Sequence, residues 1–305
     1  MEERRPLLPL LIRHAAAFGR SLCESVFLHR EATDYHQPVV ECDLAGITFS
    51  YETFGEGRPI LMLHGWPLDH TQPVFEMERH FVQRSGWKRI YLDLPGMGKT
   101  PGPEWVTCED QVLDLLREFI DSVIGGDRFV VAGTSYGAYL ALGLVHRRAG
   151  RIEGVLMSVP GLLQDEELPE FVKTLENREI METARSEGMS WLEGMAVSQN
   201  ASLLEYARVL HVTASADAQY LERLYPRRKF SFDAGALPEP FPAPTLILTG
   251  RQDSVCGYGG AWELLEHFAR ATFAVLDGAG HMMWGEQPAV CSALVSEWLD
   301  RVERG

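Results

Sequence analysis

A serine flanked at two residues' distance by glycines, Gly133-Thr134-Ser135-Tyr136-Gly137, is the first arrangement in this chain that could do chemistry. A serine hydroxyl is a weak nucleophile until an imidazole takes its proton and preorganised donors stabilise the oxyanion that forms. Here an apolar run over 128–132 feeds straight into the serine, and an apolar helical stretch over 138–145 follows it. Small residues two before and two after the serine permit a tight strand-to-helix turn that lifts its side chain clear of its neighbours. The helix aims backbone N–H groups and its positive end at the same place. A glycine-flanked serine alone says little in a chain with 28 glycines. The strand before it and the helix after it distinguish this one.

The base expected to partner Ser135 is His281, in the glycine-bracketed turn Asp277-Gly278-Ala279-Gly280 after an apolar run over 272–276. An imidazole there can project over a sheet edge instead of packing beneath it. The competing histidines read differently: His64 precedes the nucleophile, and His70, His80, His146 and His267 lie in helical stretches where packing or solvation accounts for them. Asp253 follows the run 244–250 by a short loop, at the strand end where open α/β sheets keep their sites. Its carboxylate would fix the imidazole tautomer and stabilise the imidazolium without taking the proton. Oxyanion donors are expected from the backbone N–H groups of Tyr136, just after the nucleophile, and Trp66, in the turn His64-Gly65-Trp66-Pro67.

The elements that must position these residues read as strands and helices interleaved around a largely parallel sheet. An opening antiparallel hairpin is expected over 39–43 and 47–54, with strands over 58–63, 89–94, 128–132, 154–159, 244–250 and 272–276. Helical periodicity falls over 74–83, 109–123 and 288–302. Between the strands at 154–159 and 244–250, some eighty residues carry no strand pattern. Helices are expected there over 173–185, 190–197, 203–212 and 216–224, with Glu166, Glu167, Glu170, Glu176 and Glu179 on solvated faces.

Together, His64-Gly65-Trp66-Pro67, Asp93-Leu94-Pro95-Gly96-Met97-Gly98, Gly133-Thr134-Ser135-Tyr136-Gly137, Gly250-Arg251-Gln252-Asp253 and Gly278-Ala279-Gly280-His281 resemble the capped branch of the α/β-hydrolase superfamily. The likeness covers about residues 38–304. It implies an α/β-hydrolase fold: a mostly parallel eight-stranded sheet flanked by helices, with a helical cap inserted after the sixth strand. It also implies a core over 38–162 and 244–305 and a cap over 163–243; residues 1–37 lie outside the likeness and read as a separate N-terminal helical extension. The order Ser135, Asp253, His281 is that of an α/β-hydrolase triad and differs from the chymotrypsin-like and subtilisin-like orders. Haloalkane dehalogenases and epoxide hydrolases share the H-G-W-P turn but carry aspartate at the elbow, which disfavours an alkyl-enzyme mechanism. Proline iminopeptidases share the capped architecture with a different elbow, so peptide substrates rank second.

The resemblance implies a serine hydrolase that cleaves a small to medium carboxylic ester and needs neither cofactor nor metal. Pocket walls are expected from the cap and from apolar residues near the elbow, with Tyr139, Met282 and Trp284 as candidates alongside Trp66, Tyr136 and Met283. Alternatives on the same triad are a C–C bond hydrolase or lyase, or an aminopeptidase, and the fold also admits a non-catalytic ligand-binding protein. Gly98-Lys99-Thr100 resembles the tail of a phosphate-binding loop but lacks the spaced first glycine.

Bulk properties set limits on partners. A net charge of −15, from 43 acidic and 28 basic residues, argues against a nucleic-acid or anionic-membrane surface. The composition, 46% hydrophobic and 23% charged, is that of a chain able to bury a substantial core. Five scattered cysteines, Cys23, Cys42, Cys108, Cys256 and Cys291, show no metal-type spacing and fit a reducing, cytoplasmic setting. No apolar run approaches the roughly 18 residues of a membrane span. Within the first 30 residues, Leu7, Leu8, Leu11, Ile12, Ala15 and Phe18 approach helical spacing. That helix could pack on the body or pair two subunits, with contact to a membrane surface ranking behind these.

Overall fold

A computed structural model describes residues 38–162, 168–213 and 215–305. The N-terminal extension expected over 1–37, with its proposed role in oligomers, lies outside the described residues, as do Glu166 and Glu167.

Eight strands form one sheet: β1 Val40–Leu44, β2 Ile47–Phe54, β3 Arg58–Leu63, β4 Trp87–Leu92, β5 Phe129–Thr134, β6 Ile152–Ser158, β7 Thr245–Gly250 and β8 Ala271–Leu276. Their spatial order is β1-β2-β4-β3-β5-β6-β7-β8. β1 and β2 pair antiparallel, as do β2 and β4, and every later pairing is parallel. The β1–β2 turn uses positive φ at Ala45 and Gly46 (51° and 79°), the twist that a two-residue hairpin requires.

The central strands are continuous apolar runs because both of their faces are covered. Successive side chains of β3 enter opposite layers: Leu61 and Leu63 join one core, Ile60 and Met62 the other. Nine helices complete the fold among the described residues: α1 Thr71–Met77, α2 Glu109–Val123, α3 Tyr136–Arg148, α4 Arg178–Ser186, α5 Ala201–Thr213, α6 Ala218–Leu224, α7 Gly259–Glu263, α8 Met283–Glu286 and α9 Pro288–Arg304. Val112, Leu116 and Phe119 of α2 and Leu140 and Leu144 of α3 fill the first core. Met77 of α1 and Val295, Trp298 and Leu299 of α9 fill the second. Trp298 is fully buried and donates its indole N–H to the Pro244 carbonyl at 3.1 Å; burial of such a ring contributes about 2–3 kcal/mol.

α4, α5 and α6 lie between β6 and β7, consistent with a cap. Two expected helices in this insertion are corrected. The segment expected as helix from 173 begins only at Arg178, because Leu175 pairs as a bridge with Ser198. The helix expected over 190–197 is a short 3₁₀ turn, Ser190–Gly194, after which the N–H groups of Val197 and Ser198 turn to the Glu286 carboxylate. Likewise β4 ends at Leu92 and not at Leu94. The Asp93 N–H still reaches the Ser50 carbonyl at 3.0 Å, while its side-chain oxygens accept N–H bonds from His70 and Lys99, each at 2.9 Å. Among the described residues, no helix is long and apolar enough to cross a membrane.

Candidate functional site

Ser135 sits where β5 turns into α3, with φ 56° and ψ −111°. A serine in this region is strained by roughly 1–3 kcal/mol and persists only when its surroundings hold it there. They do so from both sides. The Ser135 N–H donates to the Ser158 carbonyl at 2.8 Å, and its own carbonyl accepts from Gly161 N–H at 3.1 Å. The flanking glycines are required by space. A Cβ on Gly133 would lie 2.3 Å from the Gly137 carbonyl, and one on Gly137 would lie 2.2 Å from the carbonyl oxygen of Leu63.

The structure brings Asp253 and His281 to this serine. His281 Nε2 lies 3.1 Å from Ser135 Oγ, and His281 Nδ1 lies 3.0 Å from Asp253 Oδ2. Asp253 is completely buried, and its Oδ1 accepts N–H bonds from Val255 at 2.8 Å and Cys256 at 3.0 Å. Burial pulls the imidazole pKa down, but the Asp253 carboxylate outweighs it with help from the Cys256 thiol, so His281 is held well above the usual histidine value. An imidazole bonded in this way presents a proton-accepting nitrogen to a hydroxyl and is stabilised once it carries that proton.

The turn facing the elbow is built by His64, which is completely buried. Its Nδ1–H donates to the Gly65 carbonyl at 2.8 Å, and its Nε2 accepts from Leu94 N–H at 3.0 Å. Burial holds its pKa down at about 4, so the ring is neutral and structural. A Cβ on Gly65 would lie 3.5 Å from the Cβ of Ser135, which puts the Gly65-Trp66 backbone against Ser135. The Trp66 and Tyr136 rings meet edge to face, 5.1 Å between centroids. Tyr136 N–H belongs to the first turn of α3, where no intrahelical carbonyl can claim it.

Two buried glutamates join these loops to the insertion. Glu76 Oε2 accepts from Thr134 Oγ1 at 2.7 Å, while Oε1 accepts from Gln72 Nε2 at 3.0 Å and from the Tyr206 hydroxyl in a short bond. Gln72 Oε1 accepts the Gly65 N–H at 2.7 Å. Glu286 Oε2 accepts the Gly280 N–H at 2.6 Å, and its Oε1 takes Val197 N–H at 2.7 Å and Ser198 N–H at 3.3 Å. Burial raises both carboxylates to about 7 against the donors that favour ionisation. Sequence reasoning missed Gln72, Glu76, Tyr206 and Glu286. The one available signal was the polar pair Gln72 and Glu76, four residues apart on a helix that buries both.

The expected pocket residues take varied positions. Tyr139 stacks on Phe230 with centroids 4.4 Å apart, and its hydroxyl accepts the Phe230 N–H at 2.8 Å, so it also fastens the insertion to α3. Met282 is buried directly after His281. Trp284 donates to Ser158 Oγ at 2.9 Å and borders a cavity of about 10 Å³ that Glu76 and Thr134 also line.

Among the described residues, two groups of side chains carry metal-ligand donor types, Asp253 with Cys256 and His281, and Asp69 with His70 and Asp93. Direct bonds already account for both. In the second, His70 Nδ1 lies 2.7 Å from Asp93 and Nε2 lies 3.3 Å from Glu52. Burial lowers the His70 pKa, but these carboxylates overcome it and raise it to about 10, so it sits as an imidazolium between them. His70 therefore precedes α1 as an ion-paired staple and is not a helix-face packing residue.

A model of the alpha/beta hydrolase family matches residues 60–294. The AB hydrolase superfamily protein YisY of Bacillus subtilis (strain 168) is 23% identical over 264 residues, covering 83% of this chain and 95% of that protein. A pimeloyl-[acyl-carrier protein] methyl ester esterase of Legionella pneumophila (strain Corby) is 28% identical over 122 residues, 39% of this chain and 45% of that protein. Among solved structures, an alpha/beta superfamily hydrolase from Oenococcus oeni PSU-1 superimposes with a TM-score of 0.74 at 27% identity, covering 84% of this chain and 96% of that one. With a family model spanning most of its length and the sheet order described above, the chain belongs to the alpha/beta hydrolase family and is a hydrolytic enzyme.

Proposed function

We propose that the protein hydrolyses a small to medium carboxylic ester by two-step acyl transfer, with Ser135 as nucleophile, His281 as general base and then acid, and Asp253 orienting the imidazole. The observation that carries this is the unbroken line from Asp253 through His281 to Ser135, with separations of 3.0 and 3.1 Å, at a strained elbow. Ser135 Oγ attacks the ester carbonyl as its proton passes to His281 Nε2. The oxyanion is received by the N–H groups of Tyr136 and Trp66. Collapse expels the alcohol, which takes the proton from His281. Water then attacks the acyl-enzyme, giving its proton to His281, and the carboxylic acid leaves as Ser135 is reprotonated. The helices of residues 163–243 act as the cap, and Tyr139 and Met282 contribute to the pocket wall. The similarity to an ester-cleaving relative supports the choice of an ester. The four cysteines among the described residues are free, which supports a reducing, cytoplasmic compartment.

The test is intact-mass spectrometry after exposure to a fluorophosphonate, on the wild type and Ser135→Ala together, followed by a panel of p-nitrophenyl esters of increasing acyl length. One adduct on the wild type alone, with turnover of short or medium esters, is the expected result. An adduct that persists in Ser135→Ala, or no adduct on the wild type, would overturn the assignment.

A further inference from the structure

We propose that Glu76 is a positioning residue that couples the helical insertion to both sides of the catalytic apparatus, holding the oxyanion turn through Gln72 and the nucleophile elbow through Thr134. This rests on the assignment of Ser135 as nucleophile. The links run in one unbroken path. Tyr206, on α5 of the insertion, bonds Glu76 and also accepts from Gln72 Nε2 at 3.1 Å. Gln72 takes the Gly65 N–H at 2.7 Å, one residue before the oxyanion donor Trp66. Thr134, the residue before Ser135, bonds the second oxygen of the same carboxylate at 2.7 Å. Phe75 stacks on Tyr206 with centroids 5.8 Å apart, so the adjacent α1 residues Phe75 and Glu76 both meet the same residue of α5.

The chemistry of this carboxylate argues for more than packing. Glu76 is 2% exposed. The titratable and charged groups around it are Tyr206 on α5, Cys291 on α9 and Arg79 on α1 itself. The Arg79 guanidinium is spent on the Phe75 carbonyl at 3.1 Å and on the Phe75 ring, so it makes no direct bond to the acid. A buried carboxylate without a paired cation is costly, and an apolar side chain would fill its space more cheaply. Its bonds all come from side chains, which adjust more readily than backbone. Glu286 differs, because its three donors are backbone N–H groups that seat the insertion on the loop before His281. Glu76 therefore ties the seating of α5 to the spacing between Gly65 and Ser135. Shifts of that spacing of about 1 Å are enough to cost about a hundredfold in rate.

The test compares wild type with Glu76→Gln, Tyr206→Phe and Thr134→Val, reading the rate constant for phosphonylation of Ser135 by a fluorophosphonate, kcat and KM for an ester that turns over, and Tm. Glu76→Gln keeps the volume but turns an amide N–H₂ towards groups that donate. It is expected to slow phosphonylation and kcat by about tenfold to a hundredfold while KM stays within about twofold. Tyr206→Phe, which leaves the Gly65 and Thr134 links in place, is expected to slow both by about three- to tenfold. If the variants phosphonylate at the wild-type rate and only Tm moves, Glu76 is structural and the proposal fails. Should Glu76→Gln not fold, the two near-isosteric hydroxyl deletions decide the question in the same terms. A wild type that does not label at Ser135 would remove the serine-hydrolase assignment and this proposal together. Labelling in the wild type with unchanged variants removes this proposal alone.

Discussion

Asp253 uses both carboxylate oxygens at once: Oδ2 lies 3.0 Å from His281 Nδ1, while Oδ1 is held by the N–H groups of Val255 and Cys256. The carboxylate cannot rotate away from the imidazole without surrendering two backbone bonds. It is aimed by its own loop before any substrate arrives.

Asp253→Asn should therefore leave the fold intact and abolish most activity. The amide can keep one oxygen on the Val255 and Cys256 donors, but it then turns N–H₂ towards His281 and favours the tautomer that donates to Ser135. A fall in kcat of about 10³–10⁴ is expected, with a far-ultraviolet circular dichroism spectrum matching the wild type. Activity within tenfold of wild type would mean that another group orients His281.

The pH profile follows from the same contact. In the proposed mechanism the base must be neutral to accept the serine proton, and the pKa of His281 is held above its ordinary value because Asp253 outweighs the effect of burial. The rising limb of kcat/KM should thus lie above about pH 6.5, the unperturbed histidine value. The stabilisation that this ion pair adds to folding has the opposite dependence. It is fully present below the unfolded pKa and is lost as pH rises through the folded one. In Asp253→Asn the residual activity should rise at lower pH than in the wild type, and a limb that does not move would contradict this account.

Gly137→Ala tests the elbow itself. The added methyl would lie 2.2 Å from the Leu63 oxygen and 2.7 Å from that of His64, both backbone atoms that cannot step aside. A loss of more than about 3 kcal/mol, or insoluble protein, is expected from urea unfolding. A variant as stable as the wild type would show that β3 can move away from α3.

Glu109→Gln should stabilise the protein, and most at alkaline pH. Glu109 is completely buried at the start of α2, and burial raises its pKa to about 8 despite the influence of the neighbouring Tyr136 and Arg228. Neither its oxygens nor the Tyr136 hydroxyl meets hydrogen-bonding geometry with any described residue. The folded state holds this proton in the window between about pH 4.3, the unfolded value, and pH 8, so stability falls as pH rises through it. The amide removes that dependence. Its Tm should exceed that of the wild type by about 2–6 °C at pH 9 and by much less at pH 5.

What could be read before the structure, and what could not, divides along the range of the interactions. The central strands were legible because an apolar run such as 58–63 is buried on both faces wherever it lies in a parallel sheet. The errors fell where a distant partner overrides local preference. Residues 173–177 have helical composition but are drawn into a bridge with Ser198, and 195–198 unwinds to meet Glu286.

By itself, then, the sequence determined the elements, their alternation and the three residues whose order suggested a triad, because periodicity and turn chemistry are local properties of the chain. Only the tertiary structure decided that Ser135, Asp253 and His281 lie within hydrogen-bonding distance in a line. It alone decided that His64 is a neutral staple, and that Glu76 and Glu286 bind the insertion to the loops that carry Thr134 and Gly280. A buried carboxylate and its donors can be more than a hundred residues apart, as Glu76 and Tyr206 are, and no spacing rule records such a pair. Its position follows from how the helices pack on the sheet, which is settled by the whole core at once.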